Sequence, residues 1–186
     1  TDPSIVKIDS RTGEEVIRID SLREVHHLVL APGGKELLIA DSAANEILFV
    51  EPGSGTVLRR ERISNPYHLD FSPDGRLLVI ASLRRGQVDI YDANGLKLLE
   101  RMRAGNKPSH IAFSPDSRFA FVTIQGDGTV IAIDLQERRI AWRANVGSEP
   151  AGIIWHRNKL IVGIMGRDYF AVLNPDTREI ERTIRV

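Results

Sequence analysis

The sequence is built from a repeated unit of about 42 residues. Its clearest marker is a turn signature, which reads Ser-Pro-Asp-Gly at 72–75 and Ser-Pro-Asp-Ser at 114–117. Two sets of prolines keep the same period: Pro32, Pro73 and Pro115, and Pro66, Pro108 and Pro150. Repeats of 20 to 50 residues indicate solenoids or propellers, and short apolar runs without a helical stretch indicate propeller blades. The repeat therefore predicts an all-β chain of four-stranded antiparallel blades.

The unit at 67–103 shows the pattern of strands and turns in one blade. Residues 67–72 alternate polar and apolar side chains, as in a half-buried strand, and the Pro-Asp-Gly turn follows. A nearly continuous apolar run at 77–81 predicts a strand buried on both faces. A third strand at 88–91 and a fourth at 96–103 complete the blade. Charges in the fourth strand, such as those at 100–103, are typical of an exposed outer edge.

The units divide the chain into four whole blades and a leading half. We predict blades at 26–66, 67–108, 109–150 and 151–186, preceded by a half blade of two strands at 4–25, all within one propeller segment of 1–186. Nothing in the chain supplies the first two strands of the half blade, so we expect about four and a half blades of a larger ring. The uncovered apolar faces of such a segment predict self-association when it is isolated.

The residues at 108–116, Pro-Ser-His-Ile-Ala-Phe-Ser-Pro-Asp, carry a family resemblance. The chain resembles the YVTN-type, WD40-like β-propeller repeats and is similar to bacterial YncE-like and haem d1-type propeller proteins. The tetrapeptide that names the family appears loosely as Phe-Val-Thr-Ile at 121–124, and the last unit replaces the Pro-Asp turn with His-Arg-Asn-Lys at 156–159. The resemblance implies a seven-bladed ring of about 300 residues. It also implies a periplasmic or extracellular location.

Composition excludes several functional classes. Lys plus Arg equals Asp plus Glu at 25 each, so no net field attracts nucleic acid or an anionic membrane. The absence of cysteine excludes disulfides, thiolate metal sites and covalent c-type haem attachment. No apolar run approaches the roughly 20 residues of a membrane-spanning helix. Trp142 and Trp155 fall in predicted strands, where packing between blades is favoured over stacking on a base.

Three histidines occupy equivalent positions. His27, His68 and His110 each follow the connection into the first strand of a blade, where the last unit has Gly152. First strands line the central channel of a propeller, and imidazole is a common metal ligand. These residues are therefore candidates for a divalent metal site or for ligand binding at the channel mouth. The structural alternative is hydrogen bonding of each ring to neighbouring backbone. His26 and His156 match no repeated position and are interpreted as surface residues.

The loops between the second and third strands supply further candidates for ligand binding. Arg84 and Arg85 offer a clamp for a carboxylate or phosphate, and Tyr67 offers an aromatic wall. Gln125 and Arg167 lie in the equivalent loops of the next blades. Gly126-Asp127-Gly128 is interpreted as a hairpin signal, because no helix follows that would bind phosphate.

Two functions follow as hypotheses. The first is a non-enzymatic propeller module that binds a protein or small-molecule ligand at the channel mouth. It rests on the regular repeat, the balanced charge and the lack of a complete set of catalytic groups. The alternative is an enzyme or enzyme subunit, lactonase-like or a metal-, haem- or quinone-linked oxidoreductase, that uses the histidines at the channel mouth. Fold resemblance alone does not choose between them.

Overall fold

A computed structural model describes residues 3–185, which form an all-β chain, as predicted. A leading hairpin, β1 (Ile5–Ile8) and β2 (Glu15–Ile19), precedes four four-stranded sheets. The sheets comprise β3 (Val25–Leu30), β4 (Leu37–Asp41), β5 (Glu46–Val50) and β6 (Val57–Arg62); β7 (His68–Phe71), β8 (Leu77–Ser82), β9 (Gln87–Asp92) and β10 (Leu98–Arg103); β11 (Pro108–Phe113), β12 (Phe119–Ile124), β13 (Thr129–Asp134) and β14 (Arg139–Asn145); and β15 (Pro150–His156), β16 (Lys159–Ile164), β17 (Tyr169–Leu173) and β18 (Ile180–Arg185).

Each sheet is an antiparallel meander whose strands a, b, c and d follow chain order. The first strands begin at Val25, His68, Pro108 and Pro150, each within one residue of a predicted blade boundary. The chain divides into two compact units, unit 1 ending at Leu69 and unit 2 beginning at Asp70. Within residues 3–185, no helix has the length and apolar content that crossing a bilayer requires.

The cores of unit 2 lie between successive sheets. One cluster joins β8 and β9 to β12 and β13 and includes Val79, Ile90 and Val122, all fully buried. A second joins β11–β14 to β15–β17 and includes Val162 and Leu160. Each fully buried aliphatic side chain contributes about 1.5–3 kcal/mol. The b strands β8 and β12 are buried on both faces, whereas all six residues of the d strand β18 are exposed.

The Ser-Pro-Asp turns close the a and b strands through the serine side chain. In the first of them, Ser72 Oγ donates to Asp74 Oδ1 at 2.6 Å and accepts from Leu77 N at 3.0 Å. The amide of Gly75 donates to the carbonyl of Ser72 at 2.8 Å, with a positive φ of 72° at the glycine. The turn at 114–117 repeats these bonds around Ser114.

The last blade replaces this turn with a two-residue hairpin. His156 pairs with Lys159, and Arg157 and Asn158 between them have φ values of 46° and 59°. Two successive left-handed residues are typical of a type I′ turn, whose twist matches that of the flanking strands. The divergent sequence at 156–159 therefore changes the turn type while the four-stranded sheet is kept.

Candidate functional site

The meander places two kinds of connection at opposite ends of every blade. The b–c loops and the d–a connections lie at one end, which we call the loop face. The a–b and c–d turns lie at the other end, which we call the turn face. The residues predicted to bind a ligand belong to the loop face, because they lie in b–c loops or at the start of an a strand.

A repeated backbone hydrogen bond shapes the loop face. In the first three four-stranded blades, the last residue of the b–c loop has positive φ, with Asn45 at 55°, Gly86 at 66° and Gly128 at 67°. Its carbonyl accepts the amide of a residue just beyond strand d, at 2.9–3.1 Å, the pairs being Asn45 with Ile63, Gly86 with Ala104, and Gly128 with Val146. This bond holds the d–a connection against the b–c loop of the same blade.

In unit 1, two of the predicted histidines and the predicted tyrosine form a ring cluster. The rings of His27 and His68 meet edge to face with centroids 4.4 Å apart. The ring centroid of Tyr67 lies 5.2 Å from that of His27 and 4.5 Å from that of His26. His26 was interpreted as an ordinary surface residue, and this interpretation was incomplete. Its own ring is exposed, but it packs on Tyr67, and its Nε2 lies 3.4 Å from Glu24 Oε1.

The third predicted histidine, His110, lies in β11 of unit 2 and is half-buried. Its Nδ1 forms a hydrogen bond with Ser109 Oγ at 2.6 Å. Its backbone amide donates to Thr123 Oγ1 at 3.0 Å, and that hydroxyl donates to the carbonyl of Ala151 at 2.8 Å. Burial lowers the pKa of His110, since the protonated ring loses hydration. These bonds agree with a structural role for His110, although the ring partner is a side chain rather than backbone.

The metal-site hypothesis receives no support from the geometry. No group of three His, Asp or Glu side chains arranged as metal ligands occurs in the part of the chain that the structure describes. The equivalent position of the last blade, Gly152, is exposed and faces open space. A metal site at His27, His68 and His110 stays a prediction.

The remaining predicted residues lie in b–c loops, as expected from the repeat. Arg84 and Arg85 are exposed on the one-turn 3-10 helix Leu83–Arg85, which ends at Gly86. Gln125 begins the equivalent turn, Gln125–Asp127. Arg167 is exposed between β16 and β17, where its amide donates to the carbonyl of Ile164 at 3.1 Å. The convergence of all these residues with the ring cluster on one site stays a prediction.

One of them, Gln125, lines a polar cleft on the loop face of unit 2. The cleft has a volume of about 430 Å³ and lies between two d–a connections and the b–c loop of the blade β11–β14. Its polar side chains are those of Lys107, Gln125, Asp127, Asn145, Ser148 and Glu149, and three glycines complete the lining. Sequence reasoning missed most of this set. Lys107 and Glu149 precede Pro108 and Pro150, so the proline repeat marks their equivalence without indicating that they share a cleft.

Some polar groups of the cleft are already used by the protein. The carboxylate of Asp127 accepts the amide of Asn106 at 3.1 Å and lies 3.6 Å from Arg143 Nη1. Arg143 also donates to Thr129 Oγ1 and to the carbonyl of Ala104. By contrast, the side chains of Lys107, Gln125 and Glu149 have no hydrogen-bond or ion-pair partner within residues 3–185. These three groups are available to a ligand.

Gly147 lines the cleft and lies close to Tyr169 of β17. Its φ is 113°, and a Cβ at this position would lie 2.8 Å from the hydroxyl of Tyr169. A larger residue would therefore strain the backbone and displace the tyrosine. The glycine thus lets this d–a connection pack closely against β17 of the next blade.

Comparison with known proteins identifies the family. The model of the YNCE-like β-propeller family matches residues 1–186, the whole chain. The chain belongs to the YNCE-like β-propeller family. The resemblance drawn from the repeat is thereby confirmed, and the four-stranded sheets are propeller blades. This YNCE-like chain has no match among proteins with a curated description.

Solved structures show the same fold in more distant proteins. Hydrazine synthase of Kuenenia stuttgartiensis matches with a TM-score of 0.79 at 18% sequence identity, over 89% of the YNCE-like chain and 50% of the other chain. The YNCE-like chain therefore spans about half the length of this structural neighbour. At this identity the similarity establishes the fold alone. In total, 1360 chains of solved structures match the YNCE-like chain. Function has to be argued from the site.

Proposed function

We propose that this YNCE-like propeller module is a non-enzymatic binding module that holds a small polar ligand on its loop face. The proposal rests on the loop-face cleft of unit 2. In this cleft the side chains of Lys107, Gln125 and Glu149 have no hydrogen-bond or ion-pair partner within residues 3–185. Ligand sites in repeat folds are commonly built from loops at one end of the scaffold, because the loops vary while the strands stay constant.

The polar groups define the chemistry of the ligand. Lys107 supplies a cation and Glu149 an anion, while the Gln125 amide both donates and accepts. A molecule with an anionic and a cationic end, such as a free amino acid, offers a partner to each. The volume of about 430 Å³ lies within the range of small-molecule pockets. The alternative is a protein partner that inserts one charged side chain into this cleft.

The test is a two-dimensional NMR titration of the labelled chain with a panel of amino acids, dicarboxylates and polyols. We expect saturable shifts of the Gln125 side-chain amide and of the Gly126 and Gly128 backbone amides with at least one zwitterionic probe. Lys107→Gln and Glu149→Gln are each expected to weaken that binding about tenfold, the effect of losing one charge-assisted contact. Arg85→Gln, in the loop of the preceding blade, is the matched control. Equal shifts in all variants, or none in any, would contradict the proposal.

The enzymatic alternative, which places the reaction at His27, His68 and His110, stays a prediction. In unit 1, the rings of His26, His27, Tyr67 and His68 lie together, and imidazole and phenol are side-chain groups that serve as general acids and bases in enzymes. Assays of the chain against lactones and redox dyes, with His27→Gln as the comparison, address it separately. Turnover that His27→Gln abolishes would favour the enzyme hypothesis, whatever the outcome at the loop-face cleft.

A further inference from the structure

A second cavity opens at the turn face of unit 2, at the opposite end of the blades from the loop-face cleft. It has a volume of about 670 Å³ and lies between the blades β11–β14 and β15–β18. Its walls come from a–b and c–d turns of these two blades. We call it the turn-face groove.

Aromatic rings form the inner surface of the turn-face groove. Phe121 is 2% exposed and stacks on Trp155, with ring centroids 5.5 Å apart and planes 18° apart. Trp142 lies 5.8 Å from the same phenylalanine, and Phe119 lies 6.2 Å from it. Phe119, Trp142 and Trp155 are half-buried, so part of each ring faces the groove. The two tryptophans are the only ones in the chain.

Neither indole N–H of this cluster is used by the protein. Within residues 3–185, the Nε1 atoms of Trp142 and Trp155 donate to no acceptor, and neither is a buried atom lacking a partner. Indole N–H groups that are closed off from water normally find an acceptor. Both therefore remain accessible as hydrogen-bond donors beside the ring surface.

The charged rim offers cations to a ligand. Asp116 accepts Ser114 Oγ at 2.6 Å, and Asp134 accepts the amides of Gln136 and Glu137 at 3.0 and 2.9 Å. Arg118 Nε also lies 3.8 Å from Asp134 Oδ2, so these charged groups are used within the protein. The guanidinium groups of Arg139 and Arg178 line the groove without a hydrogen-bond or ion-pair partner among residues 3–185.

Asp176 is the one carboxylate of the rim whose oxygens are not engaged, again within the described chain. The charged residues of the lining balance, with three aspartates (Asp116, Asp134 and Asp176) and three arginines (Arg118, Arg139 and Arg178), but two of the arginines keep guanidinium groups that no carboxylate of the described chain binds. These two guanidiniums are the groups of the rim that are able to bind an anion.

We propose that the turn-face groove binds a small, flat aromatic carboxylate. Its ring would stack on the surface formed by Phe119, Trp142 and Trp155, where offset aromatic contacts add to the hydrophobic gain. Its carboxylate would accept charge-assisted hydrogen bonds from both Arg139 and Arg178. The groove has room for such a ligand, since small-molecule pockets occupy about 300–1,000 Å³. This site is separate from the loop-face cleft and does not depend on the proposed function.

Intrinsic fluorescence tests this proposal directly, because every tryptophan of the chain lies in the groove. Titration with benzoate is expected to give a saturable change in tryptophan emission and to shift both indole Nε1–H NMR signals. Benzamide, which keeps the ring and lacks the charge, and cyclohexanecarboxylate, which keeps the charge and lacks the aromatic ring, are each expected to bind at least tenfold more weakly.

Substitutions test whether the arginines of the groove rim contribute to benzoate binding. Arg139→Gln and Arg178→Gln are each expected to weaken benzoate binding about tenfold, equivalent to about 1.4 kcal/mol. Arg103→Gln, an exposed arginine on β10, and Glu149→Gln in the loop-face cleft are expected to leave it unchanged. Circular dichroism of every variant confirms the fold. A non-saturable response, equal binding of cyclohexanecarboxylate, or unchanged affinity in both rim variants would overturn the proposal.

Discussion

Arg101 donates two parallel hydrogen bonds to the carboxylate of Asp89, from Nε at 2.9 Å and from Nη2 at 2.8 Å. Asp89 lies in the c strand β9 with its side chain fully buried, whereas the side chain of Arg101 in the outer strand β10 is 47% exposed. Gln87 and Tyr91 add weaker bonds to the same carboxylate. Burial and the adjacent carboxylate raise the pKa of Tyr91 to about 12. The outer strand thus supplies the charge that a buried anion requires.

Removing this arginine is expected to destabilise the fold. Arg101→Met leaves Asp89 buried without its cation, and losing one partner of a buried pair costs about 3–5 kcal/mol. Because Arg101 is half-exposed and water screens the pair, we expect about 2–3 kcal/mol from urea unfolding. Arg103→Met on the same strand is the control, with a change below about 0.5 kcal/mol. A loss for Arg101→Met no greater than that of the control would show that water replaces the arginine.

His110 is expected to make stability depend on pH. Its pKa is lowered by burial, so the unfolded chain binds the proton more tightly than the folded one. Above the ordinary histidine pKa of about 6.5, His110 therefore adds no pH dependence to the free energy of unfolding. Below that pH the free energy of unfolding decreases, because the unfolded chain takes up the proton first. The free energy of unfolding, measured between pH 8 and pH 5, is expected to fall less steeply in His110→Gln. His156→Gln, an exposed histidine, is expected to follow the unsubstituted chain, and identical slopes in all three proteins would contradict this account.

The turn of the last blade carries removable backbone strain. Arg157 has a φ of 46°, which favours Asn or Gly over a long side chain. Arg157→Gly is expected to raise stability by about 0.5–1 kcal/mol, visible as a higher midpoint of thermal unfolding. Arg76→Gly, at an exposed turn position that lacks a positive φ, is expected to lower it. A decrease in both variants would argue against a type I′ turn at this position.

The last sheet has an apolar face that the described chain leaves exposed. Ile154, Phe170 and Ile184 share this face by strand register and are 58%, 37% and 39% exposed. The opposite face packs against β11–β14. A face of this kind favours association of two copies, so sedimentation of the isolated chain is expected to show concentration-dependent oligomers.

Ile154→Lys is expected to shift that equilibrium toward the monomer by about tenfold or more, because it places a charge on the apolar face. Thr183→Lys, also exposed on β18 but paired in register with buried Ala171, is the matched control. A monomer at all concentrations, or equal effects of the two substitutions, would show that this face does not mediate self-association.

Much of the fold could be predicted from the sequence, because its signals are local. Pro108 and Pro150 begin two of the first strands and Pro66 lies two residues before a third, and the apolar run at 77–81 identified a b strand that is buried throughout its central part. The turn at 156–159 was recognised as different, but its geometry was not predicted. The loop position of Gln125 followed from its place in the repeat.

The grouping of side chains could not be predicted in the same way. His26 matches no repeated position, yet its ring packs on Tyr67, which lies about 40 residues later in the chain. Lys107 and Glu149 share a cleft because two d–a connections flank one b–c loop. Trp142 and Trp155 were assigned to packing, and only the structure shows that part of each ring faces a groove.

The sequence by itself determined the period, the strand order and the family, since alternation, turn residues and proline spacing act over a few residues at a time. Tertiary structure decided which side chains meet, which charges are neutralised and which remain available to a ligand. The physical reason is that burial and pairing depend on neighbouring blades, which are about 42 residues away in sequence and adjacent in space. Arg101 and Arg103 are the same residue type on one strand, but only Arg101 binds a buried carboxylate, that of Asp89.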